Sequence, residues 1–358
     1  MTSLLYRPDA DTVRDRLSRW WNGQDLGRPI VQLTAPRAKP LQPPPPVPAP
    51  PDWVTDLSTR DMAYRLFLAR NRCAHTHYLG DALPIVNPYI APNALALFLG
   101  CPGEEGPGTV WCDPVPVGAE AACAEFDQSN HFWRWILDYC QALASKGSGL
   151  FLTAFTDLVE GLDTLAAMRG NQRLLVDLIE RPQWVEALLR QITDRYFYYY
   201  DVLYDLIRDE RGGSCYWSWA PGRLAKSQCD FSAMISPNMF ERFMMPILKE
   251  MCARVSYSLY HWDGPGAICH EEQLVTIDRL DVLQWTPGSG VEPADHPRWW
   301  PLFHKAFASG KRVMIGCQGL DGLLALRREF GDNWGLFILN MNAASLEEAQ
   351  AILQIVGL

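Results

Sequence analysis

The feature that most constrains this chain is its alternation, from about residue 130 onward, of short apolar β-type runs with amphipathic helical runs. A helix over 130 to 145 leads into the apolar run at 149 to 157. Helices follow at 162 to 170 and across 173 to 210, the second broken near Pro182. Then come a strand at 214 to 221, a helix at 236 to 256 with Ser236 as cap and Pro237 as its first residue, a strand at 257 to 264 and a short helix at 271 to 277. Three more strand–helix units occupy 281 to 310, 312 to 331 and 335 to 354. Strands alternating with helices build βα units on a parallel sheet, and this many predict an α/β protein of (β/α)8 (TIM) barrel class.

A parallel barrel delivers the carboxyl end of every strand to one face, where such enzymes work. The residues predicted at those ends are Asp157, Trp219, His261, Asp263, Gln284, Trp285 and Cys317. The preceding chain reads as an extension. A helix over 8 to 23, capped by Asp11 and ended by Gly23, precedes a strand at 28 to 36 and a segment at 39 to 52 that is more than half proline. Each proline removes a donor and fixes φ, so that segment is predicted as an extended surface loop. Residues 1–58 are therefore expected to pack as an N-terminal helix, strand and loop on a barrel formed by 59–358, which opens with a helix at 59 to 72 and a strand, loop and helix over 80 to 101.

Charge and composition exclude several function classes. A net charge of −9 with 32 scattered Lys and Arg residues opposes binding to a phosphate backbone. No apolar stretch approaches the roughly 20 residues of a membrane span, and no hydrophobic core of signal-peptide length follows the N-terminus, so a cytoplasmic protein is expected. The ten cysteines include no CxxC pair and read as reduced thiols. Fourteen tryptophans have two readings, as core and helix-docking residues or as a stacking surface for a flat or sugar-like ligand, with Trp219, Trp285 and Trp300 as the walls.

The strongest local signal is YHWDGPGAICH at 260 to 270. Side chains alternate along a strand, so His261 and Asp263 point the same way at its carboxyl end, and Gly264 permits a sharp turn above them. An imidazole beside a carboxylate can hold a metal, move a proton or grip a hydroxyl; it can also simply bond the adjoining loop. Tyr260, Gly264 and His270 flank the pair as candidate substrate contacts. Asp157 ends an apolar strand, where a carboxylate needs a polar cavity, a partner or a helix to cap. Gln228 and Asp230 follow the strand near Trp219, and Gln284 or Trp285 lies one βα unit beyond His261. The glycines at 288 and 290 stand too far from a helix start to read as a phosphate loop.

The run DFSAMISPNMFERFMMP at 230 to 246, with the His261-Trp262-Asp263-Gly264 stretch, resembles the uroporphyrinogen decarboxylase superfamily, over roughly residues 75 to 355. That superfamily also contains corrinoid-dependent methyltransferases and is related to cobalamin-independent methionine synthase. The resemblance implies a (β/α)8 barrel. It also implies, for the methyltransferases, a zinc ion held by a His and two Cys that activates a thiol, with a corrinoid protein as partner. Here Asp263 stands at the first Cys position, and the last strand carries no Cys at the second; Cys317, one βα unit earlier, is the remaining thiol. The implied metal set is thus His261, Asp263 and Cys317, N, O and S donors that all suit zinc. The decarboxylase proper grips carboxylates with an N-terminal Arg motif, for which only Arg37 in VQLTAPRAK is present, and Asp81 in YLGDAL sits where its catalytic Asp would lie.

Three functions are carried forward. The first is methyltransferase-type group transfer on a small molecule with a corrinoid partner. The second is a lyase, decarboxylase or hydrolase acting on a small polar or sugar-like substrate through Asp157, Asp230 or Asp263. The third is a ligand-binding barrel without catalysis. A homodimer is compatible with each.

Overall fold

The computed structural model describes residues 3–55, 57–107 and 109–358. In chain order the strands are β1 (Ile30–Pro36), β2 (Thr76–Gly80), β3 (Ile85–Val86), β4 (Gly103–Glu105), β5 (Val110–Cys112), β6 (Leu152–Thr153), β7 (Ser214–Cys215), β8 (Trp219–Ala220), β9 (Leu224–Gln228), β10 (Tyr257–Asp263), β11 (Val282–Thr286), β12 (Arg312–Gly316) and β13 (Phe337–Asn342). Seven of them form the central sheet in the order β2-β1-β13-β12-β11-β10-β9. All neighbours in it are parallel except β2, which runs antiparallel on β1. Helices fill the connections, giving a mixed α/β protein with a mostly parallel central sheet, compatible with an α/β barrel.

The sheet does not close on itself. β3 and β6 pair separately, as do β4 with β5 and β7 with β8. Single backbone bonds extend these pairs, from Ala154 N to Val86 O at 2.9 Å and from Phe155 N to Cys215 O at 3.0 Å. The strand expected over 149 to 157 is therefore regular only at Leu152–Thr153. The strand expected over 214 to 221 is instead a tight antiparallel pair, β7 with β8, reversing at Tyr216–Ser218. β9 was hidden in the sequence because Lys226 and Gln228 break its apolar pattern, yet all five of its residues are buried.

Helix boundaries follow their local chemistry. Ser236 Oγ accepts from Met239 N at 3.3 Å, as its position predicted. The helix expected over 236 to 256 divides into Pro237–Phe243 and Met245–Ala253, because Pro246 lacks the donor that a continuous helix needs. The opening helix, Ala10–Trp21, has Asp9 rather than Asp11 at its N-cap. It lies across the amino ends of the strands: Trp21 O accepts from Arg312 at 3.2 Å, Asn22 from Tyr257 at 3.0 Å, and Trp20 Nε1 donates to Gly335 O at 2.8 Å. Residues 39 to 52 form neither helix nor strand.

Period-two alternation splits β10 between two environments. Trp262 faces away from His261 and Asp263 and meets its register partner Trp285 edge-on at 5.2 Å, which in turn meets Trp299 at 5.0 Å. Each fully buried aromatic of this kind is worth about 1.5–3 kcal/mol of transfer free energy. The packing fixes the strand's face and so aims His261 and Asp263 at the opposite side. No helix among the described residues is long and apolar enough to cross a membrane.

Candidate active site

Adjacent parallel strands in register place polar side chains in a row. His261 on β10 is opposite Gln228 on β9 and Gln284 on β11. Asp263 extends the same face, and Asp230 stands just past the end of β9. One ligand atom each from Asp230, His261 and Asp263 lie within 4.8 Å of one another. Above them Gly264 adopts φ 75°, a left-handed conformation that favours glycine, and its N–H donates to Thr286 O at 2.8 Å.

The hydrogen bonds around His261 define its tautomer. Gln284 Nε2 donates to Trp285 O at 3.1 Å and to Thr286 Oγ1 at 2.8 Å. A backbone carbonyl only accepts, so the Gln284 oxygen is the atom left to face His261 Nδ1, with which it is paired. Nδ1 therefore carries a proton, and in the neutral ring Nε2 is the nitrogen that would offer a lone pair to a metal or to a proton in transit.

Behind this row lies a buried polar chain that the sequence reading did not single out. Lys226, two residues before Gln228 and wholly buried, bonds Asp157 and the Gln228 side-chain oxygen. Glu160 Oε1 accepts from Gln228 N at 3.0 Å, while its Oε2 is buried with no hydrogen-bond partner. Burial pushes the Glu160 carboxyl up to about 8, more than Lys226 and the Gln228 N–H pull it down. Asp163 accepts from the backbone of Asp230 and Phe231, each at 2.8 Å. Burial, then the Asp230 charge, raise it to about 6. Asp230 is itself raised by burial, and by Asp263 and Asp157 against the opposing pull of His261 and Lys226. So many carboxyl groups cannot all be ionised cheaply without a shared proton or a cation.

Trp217 completes the site. Its ring meets the His261 ring edge-on at 5.1 Å, lies 5.5 Å from Lys226 Nζ, and donates Nε1 to Tyr89 Oη at 3.0 Å. It also lines a cavity of about 540 Å³ with Gln32, Thr34, Asn87, Asn340 and Asn342. A second cavity of about 480 Å³ shares Asn340 and Asn342 and is bordered by Cys317. A third, of about 450 Å³, reaches Asp163, Gln228 and Asp230.

The residues predicted from sequence fall into two sets. Asp157, Gln228, Asp230, His261, Asp263, Gly264 and Gln284 converge, whereas eight others lie elsewhere. Asp81 is at the opposite end of the sheet, where it takes two bonds from Arg28 at 2.7 and 3.0 Å, one from Arg16 at 2.8 Å and one from Val31 N at 3.0 Å. Burial alone would raise its carboxyl, but these partners outweigh it and hold the group below its ordinary value. Arg37 reaches only the backbone at the β1–β2 edge, toward Thr76 O at 3.5 Å.

Trp219 is buried with its Nε1 on Asp209 at 2.7 Å, and Tyr260 and Trp285 face away from His261 on the alternate side of their strands. Trp300 packs edge-on against Phe330 at 6.0 Å. These three tryptophans are thus engaged within the fold, whereas Trp217 lines the cavity with Gln32, Asn87 and Asn340. His270 is buried against Phe240 with Nε2 on Ser232 O at 2.9 Å. Cys317 lies outside the Asp230–His261–Asp263 group, and burial, then Asp295, push its thiol up, which opposes the thiolate a metal needs. Asp230 takes its place beside His261 and Asp263.

Among the signals missed, Lys226 shares the parity of Gln228 on one strand, and Trp217 lies two residues before the tryptophan that the sequence reading favoured. Glu160 and Asp163 lie at the start of the helix Gly161–Arg169, where no motif marks them.

No protein-family model and no curated protein matches the chain. Among solved structures, a methyltransferase from Methanosarcina mazei superposes over 96% of this chain and 98% of that one, with a TM-score of 0.60 and 14% sequence identity. The chain is thus similar in fold, over nearly its whole length, to that methyltransferase.

Proposed function

We propose that this chain is a (β/α)8-barrel enzyme that carries out methyltransferase-type group transfer on a small molecule at Asp230, His261 and Asp263, with a corrinoid protein docking over the carboxyl ends of the strands. The observation that carries this reading is the convergence of those three side chains, with one ligand atom of each within 4.8 Å of the others. The parallel run from β1 to β9, together with the β3–β6 pair bonded onward to β7, supports the barrel form. The fold shared with a methyltransferase supports the reaction class.

The donor set of one imidazole and two carboxylates fits a divalent cation of hard or borderline character, and lacks the thiolates of a zinc–thiol site. Asp230, His261 and Asp263 would hold it, and when bound it would polarise a substrate oxygen as a Lewis acid. The chain's own residues do the rest. Gln284 keeps His261 in one tautomer, Gly264 pins the turn that carries Asp263, and Lys226 anchors Asp157 and Gln228 beside the mouth.

The test is to incubate the protein with cobalamin and a panel of methyl donors and to follow the appearance of methylcobalamin, with His261→Ala as control. One donor class should react with the wild type and not with the variant. If no donor reacts, methyl transfer is wrong. A second reading, acid–base cleavage of a polar substrate, is favoured by a specific observation: Glu160 and Asp163 hold raised carboxyls beside Asp230 and Asp263, which come within 4.8 Å of each other. Tuned carboxyl pairs run such chemistry near neutral pH. Product release from glycosides without cobalamin would select it.

A further inference from the structure

Among the described residues, no charged side chain lines the cavity that Trp217 shares with the His261 ring's neighbourhood. Two rungs of the β1–β13 ladder supply much of its polar wall, Gln32 opposite Asn340 and Thr34 opposite Asn342. Gln32 Nε2 donates to Trp217 O at 3.0 Å and to Asn340 Oδ1 at 2.5 Å, and Thr34 Oγ1 donates to Asn342 Oδ1 at 2.6 Å. The Trp217 carbonyl only accepts, so Gln32 turns its NH2 toward it and Asn340 answers with oxygen. The Asn340 Nδ2 donors are left for whatever enters the cavity. Asn87, on the same wall, has the complementary need: its Oδ1 is buried with no hydrogen-bond partner. A buried acceptor left this way calls for a donor from outside the protein.

The chemistry of a matching ligand follows. A carboxylate or phosphate ligand needs Arg or Lys, and an ammonium ligand needs carboxylates or an aromatic cage. Neither is present. A hydroxyl both donates and accepts, and a ring of hydroxyls presents both roles side by side with an apolar C–H face that packs on an indole. The volume of about 540 Å³ falls in the range of small-molecule sites. We infer that this cavity binds a neutral polyhydroxylated ligand, a sugar or glycoside. Trp217 is its packing face, and Asn87, Asn340 and Asn342 read its hydroxyls. The Trp217–His261 contact at 5.1 Å sets that ligand beside the polar cluster. The assignment names the substrate class for the reaction centre proposed at Asp230, His261 and Asp263, and rests on that reading.

The test is calorimetric binding and thermal shift with a panel of neutral methyl glycosides, each beside its uronic acid and its amino sugar. At least one neutral glycoside should bind, with its charged counterparts about tenfold weaker or more. Trp217→Ala and Asn87→Leu should each weaken that binding by about tenfold, with melting curves confirming that the variants fold. Absence of binding by every neutral glycoside, or tighter binding of the charged forms, overturns the proposal. A glycoside that binds but is never turned over refutes the reaction centre and leaves the cavity assignment standing. Turnover of a charged substrate with no glycoside binding does the reverse.

Discussion

Gln284 turns its carboxamide oxygen to Nδ1 of His261, one strand away, while its nitrogen is committed to Trp285 O and Thr286 Oγ1. The glutamine thus fixes which imidazole nitrogen is available. Replacing it with leucine keeps the volume and removes the constraint. Gln284→Leu should lower metal affinity or turnover by about 10–100-fold, as loss of an orienting partner typically does. A titration with zinc or manganese and a kcat measurement check it, and wild-type values in the variant would remove Gln284 from the mechanism.

If Asp230, His261 and Asp263 hold a divalent cation, the native state gains stability on binding it. At a metal concentration about 100 times the Kd the gain is about 2.7 kcal/mol. Melting curves with and without zinc, manganese or magnesium should show a rise that chelator reverses and that Asp263→Ala abolishes. A rise that persists in the variant places the ion elsewhere.

Glu160 makes the protein less stable in alkali. Its folded carboxyl lies near 8 against an ordinary 4.5, so the folded state holds a proton that the unfolded chain releases first. Stability from this group is full below about 4.5 and falls as pH rises toward about 8. Glu160→Gln removes the titration. Denaturant midpoints should show the variant gaining on the wild type between these limits, and a constant difference across that window would contradict the assignment.

Asp81 acts in the opposite direction. Its carboxyl is held below the ordinary 3.8, so its contribution is present above that value and is lost as pH falls through the lower folded value. Asp81→Ala leaves Arg28 buried without its partner and should cost about 3–5 kcal/mol at neutral pH. Urea unfolding at descending pH should show that cost shrinking in acid. The active-site tautomer and any metal affinity should survive, because the change is at the far end of the sheet.

The sequence made the sheet's strong strands and the His261–Asp263 pair legible, because alternation around Trp262 is a local pattern. It did not reveal β9, where Lys226 and Gln228 point inward and break the apolar code. Nor did it separate Trp217 from Trp219: the two stand on either side of a tight reversal, and only tertiary packing decides which indole reaches His261. Asp81 and His270 illustrate the converse, since a polar residue beside a strand or a glycine-rich turn can be satisfied wholly within the fold. The Asp230–His261–Asp263 group unites residues from two strand ends, a proximity that register sets and one-dimensional spacing does not display.

The bond from Gln32 to Asn340 spans 308 positions of the chain. A polypeptide emerging from the ribosome amino end first must therefore hold β1 without its parallel neighbour until β13 has been made. Loop closure over such a span is entropically costly, and exposed strand edges in the meantime invite aggregation. The β1–β13 rungs can close only once both strands exist, so mutations in β13 that weaken them should reduce the yield of folded protein, measured as the soluble fraction after expression.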